Sequence, residues 1–239
     1  MKNEKKFNNR IFLLLILFSI SSITLKTLKK VNIQDIRISG SKLFSRNHVI
    51  RNSSLKFPIR LILINTNLLE NDLKQNLSLK NVSINRELFP FGLKVKVSPR
   101  IPIAYGEKTL NDEKIFGYVD KDGIFIDRKN ANEENLKNLT IKVFGWEEKF
   151  KNILSEIFVT QENYEFELAK ITFSPNGFLT VEEKDLKTIF LGFNPNLINY
   201  QLQIISNLKN EFKKNNFFEK IDNIDLTDPN QPKIKVFKP

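Results

Sequence analysis

Val82-Ser83-Ile84-Asn85-Arg86-Glu87-Leu88-Phe89-Pro90-Phe91-Gly92-Leu93-Lys94-Val95-Lys96-Val97-Ser98 is the stretch whose reading decides the fold. Val82 and Ile84 alternate with polar residues, and Leu93, Val95 and Val97 alternate with Lys94, Lys96 and Ser98. That period of two belongs to strands buried on one face. Between the two runs, Leu88-Phe89-Pro90-Phe91-Gly92 supplies a turn. Two consecutive strands are therefore expected here, and they need something to cover their apolar face.

The cover lies upstream. From Asn67, the residues Leu68, Leu69, Leu73 and Leu77 recur at helical spacing, with Glu70 and Asp72 in the first turns where the helix dipole favours acids. Before them Lys56 to Ile64 is apolar and interrupted by Pro58, and Ser45 can cap a helix running through Ser53 with Val49 and Ile50 inward. Val31 to Ile38 alternates like a half-buried strand and ends at Gly40. Strand, helix, helix, strand, strand is an α+β unit in which two helices cover one face of a small sheet.

Ahead of this unit stands Ile11 to Leu25, apolar and closed by Arg10 on one side and by Lys26, Lys29 and Lys30 on the other. At about 1.5 Å per residue, roughly 15 residues of helix cover about 22 Å, short of a hydrocarbon core near 30 Å. Phe7, Thr27, Leu28 and the snorkelling stems of Arg10 and Lys26 extend the run to a workable span. A cleaved signal peptide and a buried core helix are the alternatives. Ser19-Ile20-Ser21 is a poor cleavage site, however, and Ile11 to Phe18 holds no polar residue at helical spacing.

The chain has 239 residues, 38 Lys and Arg against 27 Asp and Glu, and no cysteine. Without cysteine there is no disulfide, thiol nucleophile or thiolate metal site. The formal charge of +11 invites a nucleic-acid reading until it is located. Residues 1–30 hold seven Lys and Arg against Glu4 alone, so 38 − 7 = 31 bases and 27 − 1 = 26 acids remain, an excess of only +5. The charge is mostly juxtamembrane, where it serves topology and attraction to anionic lipid.

Downstream, Gly117 to Phe125 reads as a hairpin turning at Asp122-Gly123, and Leu139 to Gly145 as a short strand and turn. Phe150 to Val159 reads as a helix with Ile153, Leu154, Ile157 and Phe158 inward. Ala169 to Phe173, the Pro175-Asn176-Gly177 turn and Phe178 to Glu182 form a further hairpin, followed by a strand at Thr188 to Leu191. Asn199 to Phe212 is helical by Leu202, Ile205 and Leu208. Ile221 to Thr227, a turn at Asp228-Pro229-Asn230 and Lys233 to Phe237 close the chain.

Catalytic groups are sparse. His48 is the sole histidine, and the Ser-x-x-Lys tetrads at Ser39, Ser53 and Ser206 lack a Lys-Thr-Gly partner, the nearest approach being Lys108-Thr109-Leu110. Glu182-Glu183 and Glu133-Glu134 read as solvated acids, and the eight glycines stand singly instead of in a phosphate loop. No cofactor, metal, small-molecule substrate or nucleic acid is expected. A binding surface remains: Lys233-Ile234-Lys235-Val236-Phe237 alternates and is expected to be an edge strand. Such an edge either accepts a partner's strand or is merely protected by its lysines.

The order of these elements resembles a POTRA domain, and its setting behind a basic tail and one span resembles the bacterial cell-division protein family FtsQ, called DivIB in other bacteria. Ile36-Arg37-Ile38-Ser39-Gly40 with Leu43-Phe44-Ser45 is similar to the family's first strand and glycine turn. The strands around Arg86 and Pro90, the link Arg100-Ile101-Pro102-Ile103-Ala104 and the terminal Ile224-Asp225-Leu226-Thr227-Asp228-Pro229 continue the likeness, although Pro99 stands where the link usually has glutamate.

The resemblance implies a cytoplasmic tail at 1–10, a transmembrane helix at 11–28, a POTRA domain at 31–98 and a β domain at 99–239. It implies a single-pass protein of the bacterial plasma membrane, at the division septum, with its amino terminus cytoplasmic and its bulk outside. Its function would be that of a non-enzymatic scaffold for FtsB/FtsL-like partners and, through them, the septal peptidoglycan synthase. Partner binding is implied at Asp225, Leu226, Thr227, Asp228, Lys233, Ile234, Lys235, Val236 and Phe237. A POTRA-bearing chaperone for outer-membrane or secreted polypeptides, and a membrane-tethered cell-wall enzyme, are the alternatives.

Overall fold

A computed structural model describes residues 12, 15–18, 21, 29–164, 166–215 and 218–237, with Glu133 described in its backbone only. The expected tail at 1–10 and most of the expected span at 11–28 lie outside the described residues. Among the described residues no helix is long and apolar enough to cross a membrane. The chain divides into two units, up to Pro99 and from Arg100 onward.

The first unit contains β1 (Lys30–Val31), β2 (Ile36–Ser39), α1 (Arg46–Arg51), β3 (Ile59–Arg60), α2 (Thr66–Asn76), β4 (Leu79–Leu88) and β5 (Phe91–Pro99). The strand expected over Val31 to Ile38 is broken. Asn32 donates its N–H to the Asp35 carboxylate at 2.8 Å and accepts the Asp35 N–H on its carbonyl at 3.0 Å, closing a single 3-10 turn between β1 and β2. β1 then pairs antiparallel with β3, while β2 joins a sheet of order β2-β5-β4.

In that sheet β5 runs parallel to β2 and antiparallel to β4, with the two-residue loop Phe89-Pro90 between Leu88 and Phe91. Leu93, Val95 and Val97 are buried in strict alternation, as the sequence pattern requires, against Leu69, Leu73 and Leu77 of the α2 region. Leu68 is exposed: the inward stripe of α2 is carried by Leu69 and Leu73. Ser45 caps α1 by accepting the His48 N–H at 3.2 Å, and Asn65 caps α2 by accepting the Leu68 N–H at 3.1 Å.

Gly92 fixes how the β4–β5 turn meets the broken first strand. Its φ is +139°, and a Cβ there would land on the carbonyl oxygen of Asp35. Only glycine combines that backbone conformation with so close an approach. Gly92→Ala is expected to cost about 1–3 kcal/mol of stability, read as a lower urea midpoint at unchanged slope.

The second unit contains β6 (Pro102–Leu110), β7 (Glu113–Asp120), β8 (Phe125–Asp127), β9 (Ile141–Phe144), α3 (Lys151–Asn163), β10 (Leu168–Phe173), β11 (Leu179–Glu183), β12 (Lys187–Gly192), α4 (Ile198–Asn215), β13 (Ile221–Asp225) and β14 (Lys233–Val236). They form one nine-stranded sheet of order β14-β13-β12-β11-β10-β9-β6-β7-β8. The expected hairpin turning at Asp122-Gly123 is β7–β8, and a second hairpin not expected from the sequence, β6–β7, precedes it and turns at Asn111-Asp112, both in the left-handed region at φ +51° and +63°. Asn and Asp are the non-glycine residues that tolerate such a turn best.

Strand directions place the helices. β9 and β10 are parallel and joined by α3; β12 and β13 are parallel and joined by α4. Two antiparallel steps, β10 to β11 and β11 to β12, bring β12 into the direction of β9. Both crossovers therefore step the same way along the sheet, and right-handed connection puts both helices on one face. There Leu154, Ile157 and Phe158 of α3 and Leu202 and Ile205 of α4 pack with inward residues from β6 to β13. On the other face a small cluster of Tyr118, Ile126 and Ala131, with Leu136 and Leu139 against it, covers only the β7–β8 end.

The link residue Arg100 is tied down by charge. Its guanidinium bonds the buried carboxylate of Asp120 and, at 3.0 Å, that of Asp122. The other Asp120 oxygen accepts the N–H groups of Asp122 and Ile124 at 3.0 and 2.9 Å, so one aspartate closes the β7–β8 turn and holds the start of the unit.

Candidate functional site

The end of the large sheet is built on β13. Ile221, Ile224 and Leu226 have no solvent exposure and pack into the core beneath α4. The Gln201 side chain, itself fully buried on α4, donates from Nε2 to the carbonyls of Leu191 and Leu226, each at 2.7 Å. Leu226 also donates its N–H to the Phe190 carbonyl at 2.9 Å. One amide thus holds the end of β12 and the exit of β13 to the same helix.

Beyond β13 the chain turns through Asp228, whose carbonyl accepts the Gln231 N–H and whose side chain accepts the Asn230 N–H, both at 3.1 Å. It returns antiparallel as β14, with Asp225 opposite Lys233, Ile224 opposite Ile234 and Asn223 opposite Lys235. β14 is the terminal strand of the sheet, and all four of its residues and Phe237 are exposed. The Phe237 N–H bonds the Lys220 carbonyl at 2.9 Å, inward toward β13. By alternation along a strand, Lys233 and Lys235 also turn their backbone groups inward, and Ile234 and Val236 turn theirs outward.

The other edges differ. On β2 the Ile36 carbonyl accepts Nε of Arg46 at 2.7 Å, and on β4 the Ile84 N–H donates to the Glu70 carboxylate at 2.6 Å. Side chains of neighbouring helical residues thus occupy backbone groups on both edges of the small sheet. β8, the far edge of the large sheet, is three residues long. Among the described residues β14 is covered by neither device, and its own lysines guard it.

Electrostatics around β14 are short-ranged. Asp225 Oδ1 accepts the Thr227 hydroxyl at 2.6 Å and the Thr227 N–H at 2.9 Å. These two bonds, with Lys233 adding a smaller attraction against the opposing effect of partial burial, hold the Asp225 carboxyl below its ordinary value. Lys235 pairs with Asp222 at 3.1 Å. Of the residues implied as partner-binding, Asp225, Thr227, Asp228, Lys233, Ile234, Lys235, Val236 and Phe237 are therefore gathered on the last hairpin. The Leu226 side chain is not on this surface; it is a core residue with no exposure.

The catalytic candidates are placed elsewhere. Ser53 donates to the Ile50 carbonyl at 2.8 Å, in the role of a helix-end hydroxyl, and His48 lies with its ring centroid 5.6 Å from that of Phe44. Lys209, three residues after Ser206, is bound to Glu183 at 2.7 Å and Asp185 at 2.9 Å. Burial acts to lower the Lys209 value, but the hydrogen bonds and charges of those two acids outweigh it and raise it. A lysine kept protonated in this way is the opposite of a general base.

Glu183 corrects the expectation of a solvated acid. Its side chain is fully buried and accepts from Glu167 N–H at 3.1 Å, Asp185 N–H at 2.7 Å and Leu186 N–H at 2.8 Å besides Lys209. Among the described residues no group of three or more His, Asp or Glu side chains is arranged to hold a metal ion. Sequence reasoning missed both Glu183 and Gln201. The signal for Gln201 was its position on the inward stripe with Leu202 and Ile205.

Two comparisons with known proteins bear on the chain's class. Residues 31–100 match the family model described as POTRA domain, FtsQ-type. That span covers the broken first strand, both helices and the β4–β5 hairpin, and it defines the first unit as a POTRA domain. The cell division protein DivIB of Clostridium acetobutylicum is 30% identical over 109 residues, which is 45% of this chain and 42% of that protein. Together the two matches support an FtsQ/DivIB-type protein. The aligned region spans less than half the length of that relative.

Two tests address the last hairpin. Gln201→Ala leaves two buried carbonyls without their donor and is expected to cost about 2 kcal/mol, seen as a lower thermal midpoint. A carboxylate whose value is depressed in the folded state stabilises above its ordinary range and loses that contribution as pH falls through the depressed value. Wild type is therefore expected to exceed Asp225→Asn in stability at neutral pH, and the gap to close on acidification below the ordinary value of 3.8. A gap that is unchanged across that range in paired denaturation curves overturns this assignment.

Proposed function

We propose that this chain is a non-enzymatic cell-division scaffold. It is anchored in the bacterial plasma membrane by residues 11–28, with both folded units outside the cytoplasm, and docks a partner's extended segment onto the edge of β14. The observation that carries the docking is the outward-facing backbone of Ile234 and Val236 on a terminal strand exposed on both faces. Strand addition draws affinity from main-chain hydrogen bonds and selectivity from alternate side chains. The incoming strand would set acidic residues beside Lys233 and Lys235 and apolar residues beside Ile234 and Val236.

The match to an FtsQ-type domain and to a DivIB protein favours division as the setting. FtsB/FtsL-like proteins, and through them the septal peptidoglycan synthase, are the occupants that the family resemblance implies. A chaperone for secreted or outer-membrane polypeptides would use the same kind of edge. The division reading is preferred because the matched family model and the relative both carry it.

The test is proline at the two outward positions, singly. Proline at 234 or 236 removes an outward N–H while leaving the inward bonds of Lys233, Lys235 and Phe237 in place. Ile234→Pro and Val236→Pro are expected to fold with nearly unchanged circular dichroism, to lose co-purification of the FtsB-like partner and to block division in complementation. Normal partner recruitment and division by both variants sinks the docking proposal.

A further inference from the structure

We propose that the POTRA domain lies directly on the membrane through the loop after β3, with Ile62 and Leu63 entering the headgroup boundary among the cations Lys29, Lys30 and Arg60. This rests on the anchoring reading of residues 11–28 given above. The Leu61 N–H donates to the Lys29 carbonyl at 3.3 Å, and Lys30 stands opposite Arg60 in the β1–β3 pair. The loop is therefore fastened to the first residue after the expected span. At about 3.8 Å per residue, Leu63 cannot be more than roughly 8 Å along the chain from that fastening point.

The loop is amphipathic in the sense a lipid surface requires. Leu61 and Ile64 are buried and hold it to the core, whereas Ile62 and Leu63 between them are 55% and 66% exposed. A 3-10 turn at Leu61–Leu63 presents two neighbouring aliphatic side chains outward at once. Lys30 and Arg60 are exposed beside them, and the Lys29 ammonium lies 5.1 Å from the centre of the Phe91 ring, at the β4–β5 turn. Exposed aliphatics within a rim of cations match the acyl boundary and anionic headgroups of a bilayer, since each cation near the surface adds attraction to anionic lipid. Continuity with the anchor and this charge complementarity commit the patch to lipid instead of a protein occupant.

The consequence is mechanical. A domain seated at its first pair of strands cannot swing freely on the anchor, so the sheet of the first unit has a fixed side toward the membrane. Lys80, exposed at the far end of β4, is about 27 Å from Leu88 at about 3.4 Å per residue and marks the end of the sheet away from the β4–β5 turn.

Because the chain has no cysteine, single-cysteine spin labels report these positions cleanly. The full chain would be reconstituted in phosphatidylcholine vesicles with and without phosphatidylglycerol, labelled at Phe18→Cys, Leu63→Cys or Lys80→Cys. Accessibility to oxygen, which partitions into lipid, and to a water-soluble nickel chelate would then be compared. The expected result is a lipid-type ratio at 18, an intermediate ratio at 63 several times that at 80 and rising with phosphatidylglycerol, and an aqueous ratio at 80. A lipid-type ratio at 18 with 63 as aqueous as 80, or shielded from both reagents as in a protein contact, overturns the membrane seat alone. An aqueous ratio at 18 overturns the anchor and the seat together.

Discussion

The second unit depends on one buried amide. Gln201 enters the core from α4 and closes two carbonyls, on Leu191 and Leu226, that lie at the ends of neighbouring parallel strands. A carbonyl stranded without a donor in such a place costs more than an ordinary hydrogen bond contributes. The same helix carries Lys209 to the buried Glu183, where three backbone N–H groups and one ammonium leave the carboxylate fully satisfied. α4 is thus pinned at both its apolar stripe and its polar contacts, and β13 is pinned with it. The rigidity of β13 is what gives β14 a defined register.

Edges organise the rest of the molecule. Each sheet must end somewhere, and an uncovered end invites further pairing. On the small sheet Arg46 and Glu70 reach backbone groups of β2 and β4, and on the large sheet β8 is too short to offer a template. β14 keeps a two-faced, exposed strand seated on a rigid neighbour. Binding by strand addition needs that combination, because a mobile edge would have to be ordered at the moment of docking.

The charge of the chain divides accordingly. Its excess is concentrated near the amino terminus, while the folded units hold acids and bases in local pairs such as Arg37–Glu87, Arg100–Asp120 and Lys209–Glu183. Of the lysines of β14, Lys235 joins such a pair with Asp222, and Lys233 faces an Asp225 already hydrogen-bonded by Thr227.

Periodicity alone was enough for the β4–β5 strands, the existence of α2, the helices α3 and α4 and the last hairpin, because each buries one face and the alternation of Leu93, Val95 and Val97 or the spacing of Leu202 and Ile205 records which face, whereas Leu68, set in the same stripe by its spacing, is exposed. Local pattern could not foresee the break at Asn32–Asp35: a pair of side-chain and backbone bonds closes a turn inside an alternating run. Nor could it place Glu183, which looks solvated beside Glu182 until strand pairing and α4 bring Lys209 and three N–H groups around it. The residue types and their periods determined the elements, and the order of motifs determined the family likeness. That the other edges are occupied or short, which acid is buried and where Gln201 points were decided only by the tertiary structure, since each depends on groups far apart in the chain being brought together.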